Sequence, residues 1–404
     1  MADGPARILY LAPSGQVGGA ERCLLSLIGG LDPARFTARV LIGSEGPLEA
    51  LLAGQGTPAQ VVALPGGLRR LSRFHPNRGL GARLAPVAEA PGYLLRLRRA
   101  GGEFRPDLIH SNGWKMHVLG ALARPGGAPL VWHLHDFPAA QAGGNGAEPA
   151  ANRILHGLSG LPRLAVANSE AVAAAYRQRL PRLAPKLRVV HNGVNVEAFR
   201  HGDRAAMRAR LGFGPDEFVV GMVAIFAPWK GHRVFLEAAR RVRAQAPEAR
   251  FLIVGDDIYD TSGHGQGRAQ LEALAANLGL QEAARFTGFI AEDIAGAYAA
   301  LDVLVHASTA PEPFGRTIIE AMAAGVPVVA ARGGGVAEIV SDGENGLLTP
   351  PGDAVALADS LLRLQADAGL RRHLAEAGLK RVRDRFSEAA VSAAMAKVYA
   401  EAMA

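Results

Sequence analysis

Two acidic residues with seven others between them, Glu312 and Glu320, carry the densest chemical signal in this 404-residue chain. They stand in the run Pro311-Glu312-Pro313-Phe314-Gly315-Arg316-Thr317-Ile318-Ile319-Glu320. Pro313 and Gly315 predict irregular backbone around Glu312. Residues 317–325 predict a helix, which puts Glu320 about one turn inside it. A helix that begins there leaves backbone N–H groups near Gly315 to Thr317 without intrahelical partners, a natural seat for a phosphate. Glu320 could then accept from ribose hydroxyls. On spacing alone, the same residues also read as a loop acid and a surface helix acid.

Three further clusters could take part in chemistry. Ala227-Pro228-Trp229-Lys230-Gly231-His232 follows an apolar run, and a Lys at a strand end can neutralise a diphosphate as the bond to it breaks. In Trp132-His133-Leu134-His135-Asp136, strand alternation puts His133 and His135 on one face. His135 falls at the strand end, where open α/β sheets place ligands, and His133 reads as a core or supporting histidine. A zinc site from His133, His135 and Asp136 is disfavoured, because neighbouring strand residues point oppositely and no third ligand is indicated. Gly18-Gly19-Ala20-Glu21-Arg22 opens a helix after the first strand. There, glycines let the backbone approach a ligand closely, or simply make a tight turn.

The elements that must position these residues alternate along the chain. Strands are expected at 6–13, 37–43, 107–112, 129–136, 163–169 and 187–193, and again at 217–226, 249–256, 284–289, 301–308, 326–331 and 346–350. Each is a short apolar run bounded by Gly, Pro, Asn or Asp. Helical spacing lies between them, at 20–31, 232–245, 268–280 and 317–325. Apolar strands alternating with helices imply parallel sheets covered on both faces. The polar segment 196–217 reads as a linker, so the chain divides near 200. Residues 139–152 are Ala/Gly-rich and read as a loop. Residues 66–105 are Arg-rich, with Arg69, Arg70, Arg73, Arg78, Arg83, Arg96, Arg98 and Arg99, and read as a solvated face or else as a lid or membrane-facing patch.

Composition bounds the function. A single cysteine, Cys23, excludes an intrachain disulfide and a cysteine-based metal site. The short apolar run at the N-terminus reads as a strand, so no secretion signal is expected. No stretch approaches the ~20 apolar residues of a membrane span. A cytoplasmic location follows as an expectation, with peripheral contact at the inner membrane face left open by the basic N-terminal half. The net charge of +7 could attract phosphates, but aromatics are only 6% and no stacking platform is visible, so nucleic acid is not an expected partner.

The run from Glu312 to Glu320 resembles the E-x7-E motif of the large retaining glycosyltransferase family 4. The other clusters resemble that family too, as do Asn168-Ser169-Glu170, His191-Asn192-Gly193-Val194-Asn195, Gly333-Gly334-Gly335-Val336-Ala337-Glu338-Ile339-Val340 and Asp342-Gly343-Glu344-Asn345-Gly346-Leu347-Leu348. The resemblance covers nearly the whole chain and is strongest over 185–355. It implies the GT-B fold: two Rossmann-like α/β/α domains whose parallel sheets face each other across a deep cleft. Residues 1–200 would bind the acceptor and 201–385 the nucleotide-sugar donor, with a helix at 386–404 packing back toward the N-terminal domain. It implies catalytic roles for Glu312, beside the transferred sugar, and His135, which orients sugar and acceptor. Donor contacts are implied for Gly18, Gly19, Lys230, Phe289, Phe314, Gly315, Arg316, Thr317 and Glu320. In one respect the chain departs from the pattern. The family places an Arg five residues before the Lys, and here that residue is Ile225. Losing one charge-assisted hydrogen bond to the leaving group would cost roughly 2–4 kcal/mol, unless Arg316 or Arg268 substitutes.

The activity so implied is retaining transfer of a sugar from a nucleotide-sugar donor to a saccharide, lipid-linked or natural-product acceptor, with no metal or other cofactor. Two alternatives remain at this level: a non-catalytic or impaired nucleotide-sugar-binding protein, which Ile225 would explain, and a sugar-nucleotide epimerase of the same fold. A nicotinamide dehydrogenase fits poorly, since Ser14-Gly15-Gln16-Val17-Gly18-Gly19 is not a proper G-x-G-x-x-G.

Overall fold

The computed structural model describes residues 4–71, 80–138, 150–257, 267–290 and 293–404. The expected loop at 139–152 lies largely outside these, as do Arg73, Arg78 and the Arg83 side chain.

The apolar runs form parallel strands, and the chain divides into two units, Met1–Gly193 with Glu388–Ala404 and Val194–Ser387. In the first unit the described strands are β1 (Ala6–Ala12), β2 (Phe36–Ile42), β3 (Ala59–Val61), β4 (Leu108–Asn112), β5 (Leu130–Leu134), β6 (Leu164–Ala167) and β7 (Leu187–Val189). Their order in the sheet is β3-β2-β1-β4-β5-β6-β7. In the second unit β8 (Val219–Val223), β9 (Arg250–Val254), β10 (Ala284–Phe286), β11 (Val303–His306), β12 (Val328–Ala331) and β13 (Leu347–Thr349) take the order β10-β9-β8-β11-β12-β13. Each chain path runs outward on one side of its first strand and then returns to the other side. The order therefore reverses between β1 and β4 and between β8 and β11, and at such a point the loops beyond the strand ends diverge and leave a crevice.

Both faces of each sheet are covered. In the first unit Leu9, Leu11, Ile109 and Trp132 pack one core, while Ile8, Tyr10 and Val131 pack the other against Leu24 and Met395. Met395 belongs to the helix Glu388–Met403. That helix is tied down by the Ser392 hydroxyl donating to the Leu27 carbonyl at 3.0 Å and by an ion pair between Arg188 and Glu401.

Two sequence expectations need correction. The segment read as a polar linker forms the helices Val196–Arg200 and Arg204–Leu211, whose Val196, Phe199 and Met207 join the second unit's core. Its buried Arg208 is satisfied by the carbonyls of Ala300, Gly214, Pro215 and Glu217 and by Asp302, so a charged residue points inward. Strand β3 was not expected, because three partly buried residues carry too short a period to register. Within the Arg-rich stretch a helix runs from Leu80 to Gly102, burying Tyr93 and Leu97 while Arg96, Arg98 and Arg99 face solvent. No helix among the described residues is long and apolar enough to cross a membrane.

Candidate active site

In the second unit, Lys230 is delivered to the β8–β11 reversal by backbone constraints. Beyond β8, Pro228–Lys230 makes one tight turn. Gly231 then takes a left-handed φ of 78°, and a Cβ there would lie 1.9 Å from the Ala307 carbonyl oxygen. Only glycine lets the turn sit this close to the end of β11. The Thr309 N–H donates to the Trp229 carbonyl at 2.8 Å and pins the turn from the other side.

Glu312 meets Lys230 there. The ammonium donates to Glu312 Oε1 at 3.0 Å and Oε2 at 2.8 Å. The Ser308 hydroxyl donates to Oε2 at 3.0 Å, and His306 Nε2 lies 3.4 Å from the same oxygen. Burial alone would push the Glu312 carboxyl up, but the His306 hydrogen bond and the Lys230 charge outweigh it and hold it below the usual carboxylate range. The Lys230 and Glu312 side chains are only 20% and 15% exposed. Their pair is therefore less screened than a surface pair worth ~0–1 kcal/mol. The glycine triplet fixes the Glu312 backbone: Gly335 N–H donates to the Glu312 carbonyl at 2.8 Å, and a Cβ on Gly334 would lie 2.1 Å from that oxygen.

The other expected donor residues of this unit take distinct places. Gly315, with φ 109°, caps the helix Arg316–Ala323 without a side-chain hydrogen bond, and Thr317 lies in its first turn. Phe314 is buried against Phe386, so what it offers a ligand is backbone. Glu320 is buried too: Tyr298 donates to its Oε2 at 2.7 Å and Arg316 Nε to its Oε1 at 2.6 Å. Both carboxylate oxygens thus already have protein donors. Phe289 is 51% exposed just beyond β10. Ile225 is partly buried, and Arg268, a candidate substitute for the missing Arg, bonds Glu272 and the Phe286 carbonyl at the same end of the sheet.

In the first unit, His135 follows β5 with its Nε2 2.9 Å from Asn112 Oδ1, at the end of β4. Asn168, just past β6, donates to the His135 carbonyl at 2.9 Å. The His133 ring lies 4.0 Å from that of His135, centroid to centroid. Behind it runs a buried chain of polar rings: His133 Nδ1 is 3.1 Å from His110 Nε2, His110 Nδ1 is 2.8 Å from the Tyr399 hydroxyl, and Tyr399 is 3.0 Å from the Tyr10 hydroxyl. Burial pushes His110 down to about 3 and His133 well below its ordinary value, so both rings are neutral at physiological pH. Gly18 precedes the helix Gly19–Gly29 and gives its N–H to the Glu21 carboxylate at 3.1 Å, while a Cβ on Gly19 would meet open space. Burial raises the Glu21 carboxyl. The glycine whose absent side chain this loop needs is Gly15, where a Cβ would lie 2.4 Å from the Ser44 carbonyl.

The second unit thus joins Lys230 and Glu312 directly, and Arg316 and Glu320 directly. His135, Gly18 and Gly19 belong to the first unit. Sequence reasoning passed over His306, Ser308 and Tyr298. The signal for the first two was present, a His and a Ser at the carboxyl end of the expected strand 301–308, and Tyr298 bore none. Among the described residues, no three His, Cys, Asp or Glu side chains are grouped to hold a metal ion.

A family model described as glycosyl transferases group 1 matches residues 203–381, and one described as Glycosyltransferase Family 4 matches residues 17–198. The D-inositol 3-phosphate glycosyltransferase of Streptomyces bingchenggensis is 36% identical over 358 residues, 86% of this chain and 78% of that protein. The protein of the same name from Nocardioides sp. is 34% identical over 73% of this chain and 69% of its own length. The crystal structure of Anabaena Alr3699/HepE in complex with UDP-glucose matches with a TM-score of 0.81 at 31% identity, covering 98% of this chain and 99% of that one.

Proposed function

This chain belongs to glycosyltransferase family 4, and from that premise we propose that it moves a hexose from a UDP-linked donor to a hydroxyl of a saccharide or a polyol phosphate, retaining the anomeric configuration and needing no metal. The observation that carries the proposal is the contact of Lys230 with Glu312 at the strand-order reversal of the second unit. An ammonium held by Glu312, three residues before the helix cap Gly315, suits the donor's two phosphates. UDP-glucose in the Anabaena structure and the inositol 3-phosphate in the relatives' names support the two substrate classes.

In the reaction, the bond from the anomeric carbon to the diphosphate oxygen breaks as one from the acceptor oxygen forms on the same face. The acceptor's proton goes to the departing phosphate. Lys230 stabilises the charge gathering on that phosphate, and Glu312, kept ionised, supports the positive charge developing on the sugar ring. His135 orients sugar and acceptor.

Ile225 favours a second reading, a protein that binds the donor without turning it over. Incubating the protein with UDP-glucose and inositol phosphate, with and without a chelator, separates the two. Transfer with an α-configured product and no chelator effect supports the first reading. UDP binding without transfer or hydrolysis across a panel of sugars and acceptors supports the second.

A further inference from the structure

His306 ends β11 with its ring buried and turned toward Glu312. A ring nitrogen 3.4 Å from a carboxylate oxygen carries a proton, so Nε2–H is the donor. Nδ1 is buried without a hydrogen-bond partner, so a second proton there costs the desolvation of a donor and is favoured only where the charge facing Nε2 outweighs that cost. With Lys230 on both Glu312 oxygens, that carboxylate already has its counter-charge. A second proton on the ring therefore gains most once Lys230 no longer serves Glu312. Among the described residues, the ionisable groups paired at this spot are Lys230 from the turn after β8, Glu312 from the loop after β11 and His306 itself. His232, one residue past Gly231, is pushed down to about 4 by burial and adds no charge.

The Lys230 ammonium has three N–H donors, and with two of them on Glu312 only one is left for a diphosphate. With Ile225 in the place of an Arg, the demand of the phosphates on Lys230 is correspondingly greater. We propose that His306 is the positioning residue that holds Glu312 when a diphosphate draws Lys230 away: the ring takes up a proton from solvent and becomes the carboxylate's counter-cation. Glu312 then stays ionised and in place beside the sugar throughout the hand-over. The inference rests on the donor reading above and adds to it a proton that accompanies binding.

Calorimetric titration of UDP into the full chain at about pH 8, where UDP itself is fully ionised, in buffers of low and high ionisation enthalpy, counts the protons taken up per UDP bound. The wild type should take up a substantial fraction of a proton. His306→Gln, which retains an N–H donor for Glu312 but cannot titrate, should bind UDP and take up none. Equal uptake by the two proteins overturns the proposal. A second test needs no ligand and stands even if UDP fails to bind, which would sink the donor reading alone. In Lys230→Met, the imidazole resonances of His306 at about pH 7 should be those of the imidazolium, and in the wild type those of the neutral ring. A neutral ring in Lys230→Met refutes the role of His306.

Discussion

At its strand-order reversal the second unit gathers an ammonium and a carboxylate, Lys230 and Glu312, with the Ser308 hydroxyl also donating to the carboxylate. Near the reversal of the first unit, His133 and His110 stand neutral in a buried chain with Tyr399 and Tyr10, and His135 is bonded to Asn112. One sheet plan thus supports opposite electrostatics. The difference lies in what each strand end is given. In the second unit, Gly231 and Gly334 let loop backbones close in until full charges touch. In the first, aromatic and imidazole rings fill the space, and burial strips their charge. A charged, preorganised site suits an anion and a reacting centre. A neutral one lined by amides and imidazole suits hydroxyls.

The comparison can be broken by substitution, and Glu312→Gln should have the largest effect. Transfer should fall about a thousandfold or more, a loss on the scale of removing a preorganised electrostatic partner. UDP affinity should not weaken, because Lys230 is freed. A variant with near-normal turnover would move the chemistry away from the charged site. Next in size is Gly231→Ala. A left-handed φ and a Cβ driven into the Ala307 carbonyl should cost more than about 2 kcal/mol of unfolding free energy in urea, against a few tenths for Gly19→Ala, whose Cβ meets open space.

Tyr399→Phe should cost about 1–3 kcal/mol by leaving the His110 Nδ1 buried without its partner, while transfer per folded molecule changes less than about tenfold. An unchanged urea midpoint would show that the buried ring chain contributes nothing. A further test is pH dependence. His110 and His133 have lowered values in the folded state, so below about pH 6.5 the unfolded chain binds protons that the native rings refuse. Stability should fall as pH drops from about 6.5 toward 4.5, by up to ~1.4 kcal/mol per pH unit for each ring, with His232 adding in the same direction. Glu312, also lowered, should add its own loss only below about pH 4.3. A flat profile between pH 7 and 5 would contradict the neutral assignment of the histidines.

Much of this was readable before any coordinates. The apolar runs around β1, β8 and β11 are long enough and cleanly bounded, and Glu312, Lys230 and His135 fall where strand ends must be. What stayed hidden depends on contacts distant in sequence. Nothing in the local pattern tells that Arg208 turns inward to four carbonyls, or that Arg316 and Tyr298 occupy the two oxygens of Glu320. The glycine loop after β1 was legible as a turn, but the identity of the crowded glycine, Gly15 rather than Gly19, depends on a neighbour twenty-nine positions away, Ser44. His306 ended an expected strand, yet its importance appears only once Glu312 folds back against it.

The most direct test is the affinity of the full chain for UDP, measured by calorimetry in the wild type, Lys230→Met and His135→Ala. If the charged reversal holds the phosphates, Lys230→Met should weaken binding by about ten- to a hundredfold, the value of one charge-assisted hydrogen bond, and His135→Ala should leave it within about twofold. Equal losses in the two variants, or tight binding that survives without Lys230, would contradict the account.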